Sequence, residues 1–315
     1  MSTTADGHDL TLGVPLRRVA EVVDVIDLPV DLSPWRRAFR RFASHKLAVL
    51  GFTILLLFVL LAIFADVVAP YHPNKQHLDK AFTPPDGINW LGTDLLGRDV
   101  FSRILAGARI SLSVGTVGVA IYLVIAIVLG SAAGLIGGRV DNFIMRFTDL
   151  WMTFPSFVMI LIAAGILGPS IFNIMIIIGV FGWPGLARLI RGQLLLFREL
   201  DYVIAARTAG ASIPHLAIRH MVPNILGPVA VAVTLGVAGA ILAEAGLSFL
   251  GLGVTEPTAS WGSMISSSRG IAFFTRAPWM WLAPGAAISL TVLSINFIGD
   301  GLRDAFDVRG GQGRG

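Results

Sequence analysis

Near-continuous apolar runs of 18 or more residues recur along the chain at Leu47 to Val68, Ile110 to Ile136, Leu150 to Leu167, Ile171 to Ile190, Ile225 to Leu252 and Trp279 to Ile298. Each is long enough to cross roughly 30 Å of hydrocarbon as a helix. Lipid offers no partner to a peptide group, so such a run must pair its N–H and C=O groups within itself, which an α-helix does. The pattern therefore predicts an all-α integral membrane protein with six transmembrane helices. Pro155, Pro184 and Pro284 fall inside or beside these runs; each either kinks its helix or is simply tolerated in a bundle.

The polar segments between the runs carry an uneven charge. If residues 1–46 are cytoplasmic, then of the 24 Lys and Arg only Lys75, Lys80, Arg98, Arg103, Arg109, Arg269 and Arg276 fall on the far side. The positive-inside bias thus places both termini in the cytoplasm, with 138–149 and 188–224, while 69–109, 253–278 and the turn Gly168-Pro169-Ser170 face outward. Residues 1–31, poor in aromatics and mixed in charge, read as a disordered leader. Residues 32–109 hold an N-terminal helix, the first span and an outer loop; 110–303 hold the five-helix core; 304–315 form a tail. In "SPWRRAFRRFASHK" (33–46) Ser33 can cap a helix that starts at Pro34. Trp35, Phe39 and Phe42 share one face of it, and Arg36, Arg37, Arg40 and Arg41 crowd another. It reads either as a helix lying on the inner leaflet or as a plain positive-inside anchor.

Composition narrows the chemistry. A hydrophobic content of 55%, a charged content of 14% and a mean hydropathy of +0.76 suit a multi-pass chain in the cell membrane. The absence of cysteine excludes disulfides, iron-sulfur ligation and thiol nucleophiles. The net charge of +4 sits at the ends of apolar runs, a pattern of membrane orientation and not of nucleic-acid binding. The first apolar run begins late and lacks a small-residue cleavage site, which argues against a removable signal peptide.

One cytoplasmic segment, "DYVIAARTAGASIPHLAIRHMVPN" (Asp201 to Asn224), is unlike the rest. Asp201 can cap a short helix that ends at Gly210, with Arg207 in its last turn. Ser212 can cap a second helix with Pro214 in its first turn, carrying His215, Arg219 and His220, and Pro223 marks where it must stop or bend. Two capped helices make a compact knob, more than a loop between spans needs.

These residues resemble the cytoplasmic "EAA" loop of ATP-binding-cassette (ABC) importer permeases: Glu-Ala-Ala, three residues, Gly, nine residues, Ile, any residue, Leu-Pro. Ala205, Ala206, Gly210 and Pro223 match it, while Ile204, His220 and Val222 depart from it. Arg207, Ser212, Arg219 and Asn224 fit the peptide-importer variants "AARxxGxS" and "RHxxPN". "LGTDLLGRDVFSRILAGARISL" (Leu91 to Leu112), "EAGLSFLGLG" (Glu244 to Gly253) and "NFIGDGLRDAFDVR" (Asn296 to Arg309) are similar to segments of the C-type permease of dipeptide and oligopeptide importers. The resemblance implies a type I importer permease that pairs with a homologous permease, sits on one or two cytoplasmic ATPase subunits and receives its solute from an extracytoplasmic binding protein. Its implied substrates are peptides, or another small solute such as a nickel chelate.

No G-x-x-x-x-G-K-[ST] loop is present, so ATP and Mg are expected on the partner ATPases and no cofactor on this chain. Ala205, Ala206 and Gly210 would permit close approach of the ATPase, and Arg207 or Arg219 would meet its acidic groups. Glu244 is the one carboxylate well inside a run. It is either a substrate contact or gate, or a packing hydrogen bond, and the nearby Gly236, Ala240 and Gly246 favour packing. His72 and His77 read as solvated side chains, not metal ligands. Asp94, Arg98 and Asp99 read as turn and cap residues, or, from the resemblance, as part of the surface where the binding protein docks. Trp261 and Trp279 are expected to anchor the outer interface or a short re-entrant piece. Neither a membrane enzyme nor an ion-coupled secondary carrier fits well: no catalytic constellation is present, and one buried carboxylate is too few for ion coupling.

Overall fold

The computed structural model describes residues 34–216, 221–270 and 275–306. The leader, Ser33, Arg219, His220 and the end of the tail lie outside them, as do the side chains of Trp35 and Arg207. Apolar runs become helices, as hydrocarbon requires. They are α1 (Pro34–Ser44), α2 (Lys46–Ile63), the single turn α3 (Ala65–Val68), α4 (Val100–Ile136), α5 (Gly138–Met152), α6 (Ser156–Leu167), α7 (Ile171–Arg198), α8 (Asp201–Thr208), α9 (Ile213–Leu216), α10 (Val222–Phe249), α11 (Trp261–Ser267) and α12 (Trp279–Phe306).

Local chemistry sets the boundaries. His45 separates α1 from α2 because its Nδ1 accepts the amide of Ala48. Asp99 caps α4 by accepting the Ser102 amide, so that helix starts at Val100, well before its apolar run at Ile110. Gly137, at φ +71°, turns the chain from α4 into α5.

The run from Leu150 to Leu167 is not one helix. It divides between α5 and α6, which meet at 77° across the break before Ser156. Pro155 has no amide to continue the ladder, and α5 is two-faced where α6 is uniformly apolar. Asp141 pairs with Arg191 at 2.5 Å and Asp149 pairs with Arg188, fastening α5 to α7. Pro184 and Pro284, by contrast, lie within the unbroken helices α7 and α12.

Five helices are each long and apolar enough to cross a membrane, and the bent pair adds a sixth crossing. Packing requires that sixth crossing. A methyl at Gly118 of α4 would lie 3.0 Å from Ile178 of α7, and one at Gly134 would lie 2.9 Å from Leu194. The register advances in the same direction on both helices, so they run parallel and α5 with α6 must return across. α10 runs antiparallel to α12, since Gly227 meets Phe306 and Gly299 meets Leu235. α12 in turn runs antiparallel to α2, through Gly51 and Ser294. The ends of α4, α7 and α12 and the starts of α2 and α10 therefore gather at one end of the bundle with α1, α8 and α9. Loops 69–99 and 250–260, with residues 275–278, gather at the other.

Large apolar side chains such as Ile63, Phe143, Ile166 and Phe172 face outward, as lipid or an apolar partner surface allows. On α1, Ala38 is buried and Phe42 lies against Gly301 of α12, while Phe39 is 74% exposed. The expected face of Phe39 and Phe42 is therefore split between the solvent side and the bundle.

Candidate functional site

At the α1 end, α8 and α9 form a knob continuous with α7. Val203 and Leu216 are buried and root it in the bundle. Ala211 donates its amide to the Ala206 carbonyl and Ala209 to that of Ala205, closing α8 around Gly210 at φ +90°. This is the glycine-terminated cap the sequence suggests, and a left-handed residue is what such a cap needs. The Leu216 amide donates to the Ser212 carbonyl, which opens the single turn of α9. Asp201, Ala205, Gly210 and Ser212 are exposed and Ala206 is half-buried. Tyr202 and Ile204 are each 46% exposed, giving α8 an apolar outer surface. Pro223 stands in the first turn of α10, where a proline leaves no helical hydrogen bond unmade.

The opposite end is held by charge. Arg98 donates Nε to Asp94 at 2.6 Å and Nη1 to Glu256 at 2.5 Å. Arg103 donates Nη2 to Glu256 at 2.9 Å. Arg98, Arg103 and Asp94 are buried, and they tie the loop 69–99, the start of α4 and the loop after α10 together. Burial alone would lower the Arg98 pKa, but Glu256 and Asp94 more than offset it and hold the guanidinium above its ordinary value. Asp94 also accepts the amides of Leu96 and Arg98, and Asp99 accepts Asn89 Nδ2 and the Ser102 hydroxyl. The turn-and-cap reading of Asp94 and Asp99 thus holds. His72 accepts the Asn74 amide through Nδ1, and among the described residues no group of three His, Cys, Asp or Glu is arranged to hold a metal.

Below that cluster Glu244 is fully buried on α10. Ser111 of α4 donates to its Oε2 at 2.9 Å and Ser248 to its Oε1 at 2.7 Å. Ser111 also accepts the Trp261 amide, and Ser248 that of Val254. The carboxyl is therefore the hub joining α4, α10 and the base of α11. Trp261 is not an interfacial anchor. It is completely buried, edge-on to Phe58, and donates its indole N–H to Ile104. Trp279 is partly buried and donates to the Thr93 carbonyl. The seven-residue α11 is the short piece expected in this connection, drawn into the bundle by its own tryptophan and by the Ser260–Ser263 capping box.

Midway along the bundle, a cavity of about 380 Å3 opens between α4, α6, α7 and α10. Tyr122, Phe181 and Pro184 line it, and Gly185 and Gly239 present bare backbone with open space above.

Sequence reasoning reached Glu244 but not its partners. Ser248 was within reach, being four residues further on the same helix. Ser111, Arg103 and Glu256 come from distant segments and carry no local signal.

Comparison with known proteins agrees with this architecture. Residues 126–310, more than half of the chain, match the model of the binding-protein-dependent transport system inner membrane component. Residues 33–85 match the N-terminal TM domain of oligopeptide transport permease C. The chain is 42% identical over 277 residues to the oligopeptide transport system permease protein OppC of Bacillus subtilis, covering 88% of this chain and 90% of that protein. It is 41% identical over 276 residues to the dipeptide transport system permease protein DppC of Alkalihalophilus pseudofirmus, covering 88% and 90%. It is 42% identical over 281 residues to the di/tripeptide transport system permease protein DppC of Pseudomonas aeruginosa, covering 87% and 92%. With its long apolar helices, strand-free described fold and full-length matches, the chain belongs to the binding-protein-dependent transport system inner membrane components, the multi-pass permease subunits of ABC importers.

Proposed function

We propose that this permease imports peptides, as half of a translocation pathway completed by a second, homologous permease. The names of its relatives, for oligopeptide, dipeptide and di/tripeptide transport, support the substrate class. Solute arrives from an extracytoplasmic binding protein at the end held by Arg98 and Glu256, and ATP with Mg is held by ATPase subunits at the α1 end. The positive-inside distribution of Lys and Arg supports this orientation, with both ends of the chain cytoplasmic.

The observation that carries the mechanism is the knob itself: a capped, rooted pair of short helices beyond the spans, with Ile204, Ala205 and Gly210 outermost. Its outer surface is seated in a groove of the ATPase, and Arg207 or Arg219 meets acidic groups there. Closure of the ATPase pair pushes the knob, and the knob is continuous with α7 and close to the start of α10. The push therefore rocks those two helices as rigid bodies and reshapes the cavity between them. Glu244 takes no part in the chemistry of transport and serves as the packing hub that keeps α4 and α10 together. The test is reconstitution of the complete complex in liposomes with a dipeptide-loaded binding protein. ATP-dependent uptake by wild type and its loss in Ala205→Trp, with that chain inserted normally, is the expected result. Full uptake by Ala205→Trp with ATPase subunits still bound would end the coupling reading.

A further inference from the structure

One buried hydroxyl lines the cavity of about 380 Å3 between α4, α6, α7 and α10. It belongs to Tyr122 of α4, which is only 7% exposed and is held by glycines on two neighbouring helices. A methyl at Gly182 of α7 would fall 2.7 Å from Tyr122 Cδ1, and one at Gly236 of α10 would overlap the hydroxyl oxygen. The hydroxyl therefore rests on bare backbone at Gly236, and both residues line the cavity. Among the described residues this hydroxyl has no hydrogen-bond partner, and its oxygen is not sealed from the open space beside it.

Its depth excludes the commonest partners. Gly236 stands at the middle of the 28-residue α10 and Pro184 at the middle of the 28-residue α7. Each is roughly 20 Å from either end of its helix. At that depth hydrocarbon tails offer no hydrogen-bond partner, and headgroups lie at the ends of the spans. A tyrosine turned to lipid would sit near the interface instead. The hydroxyl is thus suited to a polar molecule passing through the middle of the bundle. The walls narrow its chemistry. Among the described residues no ionisable side chain besides the phenol lines the cavity, and Met152, Ile160, Ile178 and Phe181 make its surface apolar. Gly185 and Gly239 leave room where any side chain would fill it. A neutral hydrogen bond beside adaptable apolar walls fits a peptide group bearing an apolar side chain. It suits a free carboxylate or ammonium poorly, because that charge would be desolvated without a counter-ion.

We propose that this cavity is a side-chain subsite on the translocation pathway. It takes an apolar side chain of the peptide in transit, while the Tyr122 hydroxyl donates to a carbonyl of the peptide backbone. This assignment rests on the peptide-import reading above and adds where on this chain the solute is read. The Tyr122 ring is held between α7 and α10, the two helices that the knob moves. Their displacement changes the contact and releases the side chain.

The test is uptake by the complete complex in liposomes, with binding protein preloaded to saturation with Ala-Ala or Phe-Phe and with ATP hydrolysis followed in the same vesicles. Gly239→Leu fills the cavity from a position where an added Cβ meets nothing within 4 Å. It should lower Phe-Phe uptake at least about tenfold relative to Ala-Ala, the scale on which an apolar pocket senses added methylenes. Gly285→Leu on α12, equally open but outside the cavity lining, should keep the wild-type ratio. Tyr122→Phe retains the ring between Gly182 and Gly236. It should slow both peptides about three- to tenfold, the worth of one neutral hydrogen bond, with binding-protein-stimulated ATP hydrolysis unchanged. A wild-type ratio in Gly239→Leu, or the same shift of ratio in Gly285→Leu, would overturn the subsite. Equal loss of both peptides in Gly239→Leu, with loss of the second permease on purification, would also overturn it and give the cavity to a helix of that subunit. Unchanged uptake by Tyr122→Phe would overturn the hydroxyl contact. Uptake of neither peptide by the wild-type complex would end the peptide-import reading itself, and this assignment with it.

Discussion

The two ends of the bundle are stabilised by different physics. At the end opposite α1, Arg98, Arg103, Asp94 and Glu256 pair across three segments, and Glu244 joins two helices through Ser111 and Ser248. At the α1 end the knob is held by backbone caps and two buried side chains, while Asp201, Ile204, Ala205, Thr208 and Ser212 are exposed. Long-range side-chain pairing makes a clamp, because no partner can move without stranding a buried charge. Backbone capping makes a rigid part whose surface is left for something else. The contrast separates a region fixed by buried side-chain pairs from one fixed by its own backbone.

The sharpest way to break this comparison is Arg98→Met. It leaves Asp94 buried beside a more distant Arg103 and loosens Glu256, so the purified chain should lose about 3–5 kcal/mol of stability, read as a lower thermal midpoint in detergent. An unchanged midpoint with abolished uptake would make the Arg98 cluster a docking surface and not a clamp. Next in size is Glu244→Ala, expected to cost about 2–4 kcal/mol by leaving a cavity and two serine hydroxyls without their acceptor. Glu244→Gln keeps the volume and an acceptor and should stay within about 1 kcal/mol. Altered peptide selectivity of Glu244→Gln at wild-type abundance would instead place that side chain on the pathway.

Gly210→Val sharpens the other side of the contrast. Space is open around that position, but a β-branched residue at φ +90° costs about 1–3 kcal/mol locally. The global midpoint should barely move while uptake falls, and normal uptake would count against the knob as the coupling element. Ala205→Trp has the smallest effect on stability, within about 0.5 kcal/mol at an exposed site. Its readout is co-purification of the ATPase subunits, which should fail while the chain itself is recovered in full.

Much of the fold was legible because hydrocarbon permits so few backbone solutions. Run length alone located the helices, and the Gly210 cap followed from the demand for a left-handed residue. The errors fall where one-dimensional patterns stop. The run from Leu150 to Leu167 hides a 77° break, since apolarity continues across Pro155 while the amide ladder does not. Trp261 carries the signature of an interfacial anchor, yet Phe58 and the Ile104 carbonyl, both far away in sequence, draw it inside.

By itself, then, the sequence determined the membrane class, the helices, the capped knob and the one carboxylate well inside an apolar run, because desolvated peptide groups and helix ends must be satisfied locally. Only the tertiary structure decided which distant side chains meet: Arg98 and Arg103 with Glu256, and Ser111 with Glu244. Partners separated by a hundred residues or more leave no periodic trace in the chain, since their proximity is created by the crossing of helices and not by their spacing along it.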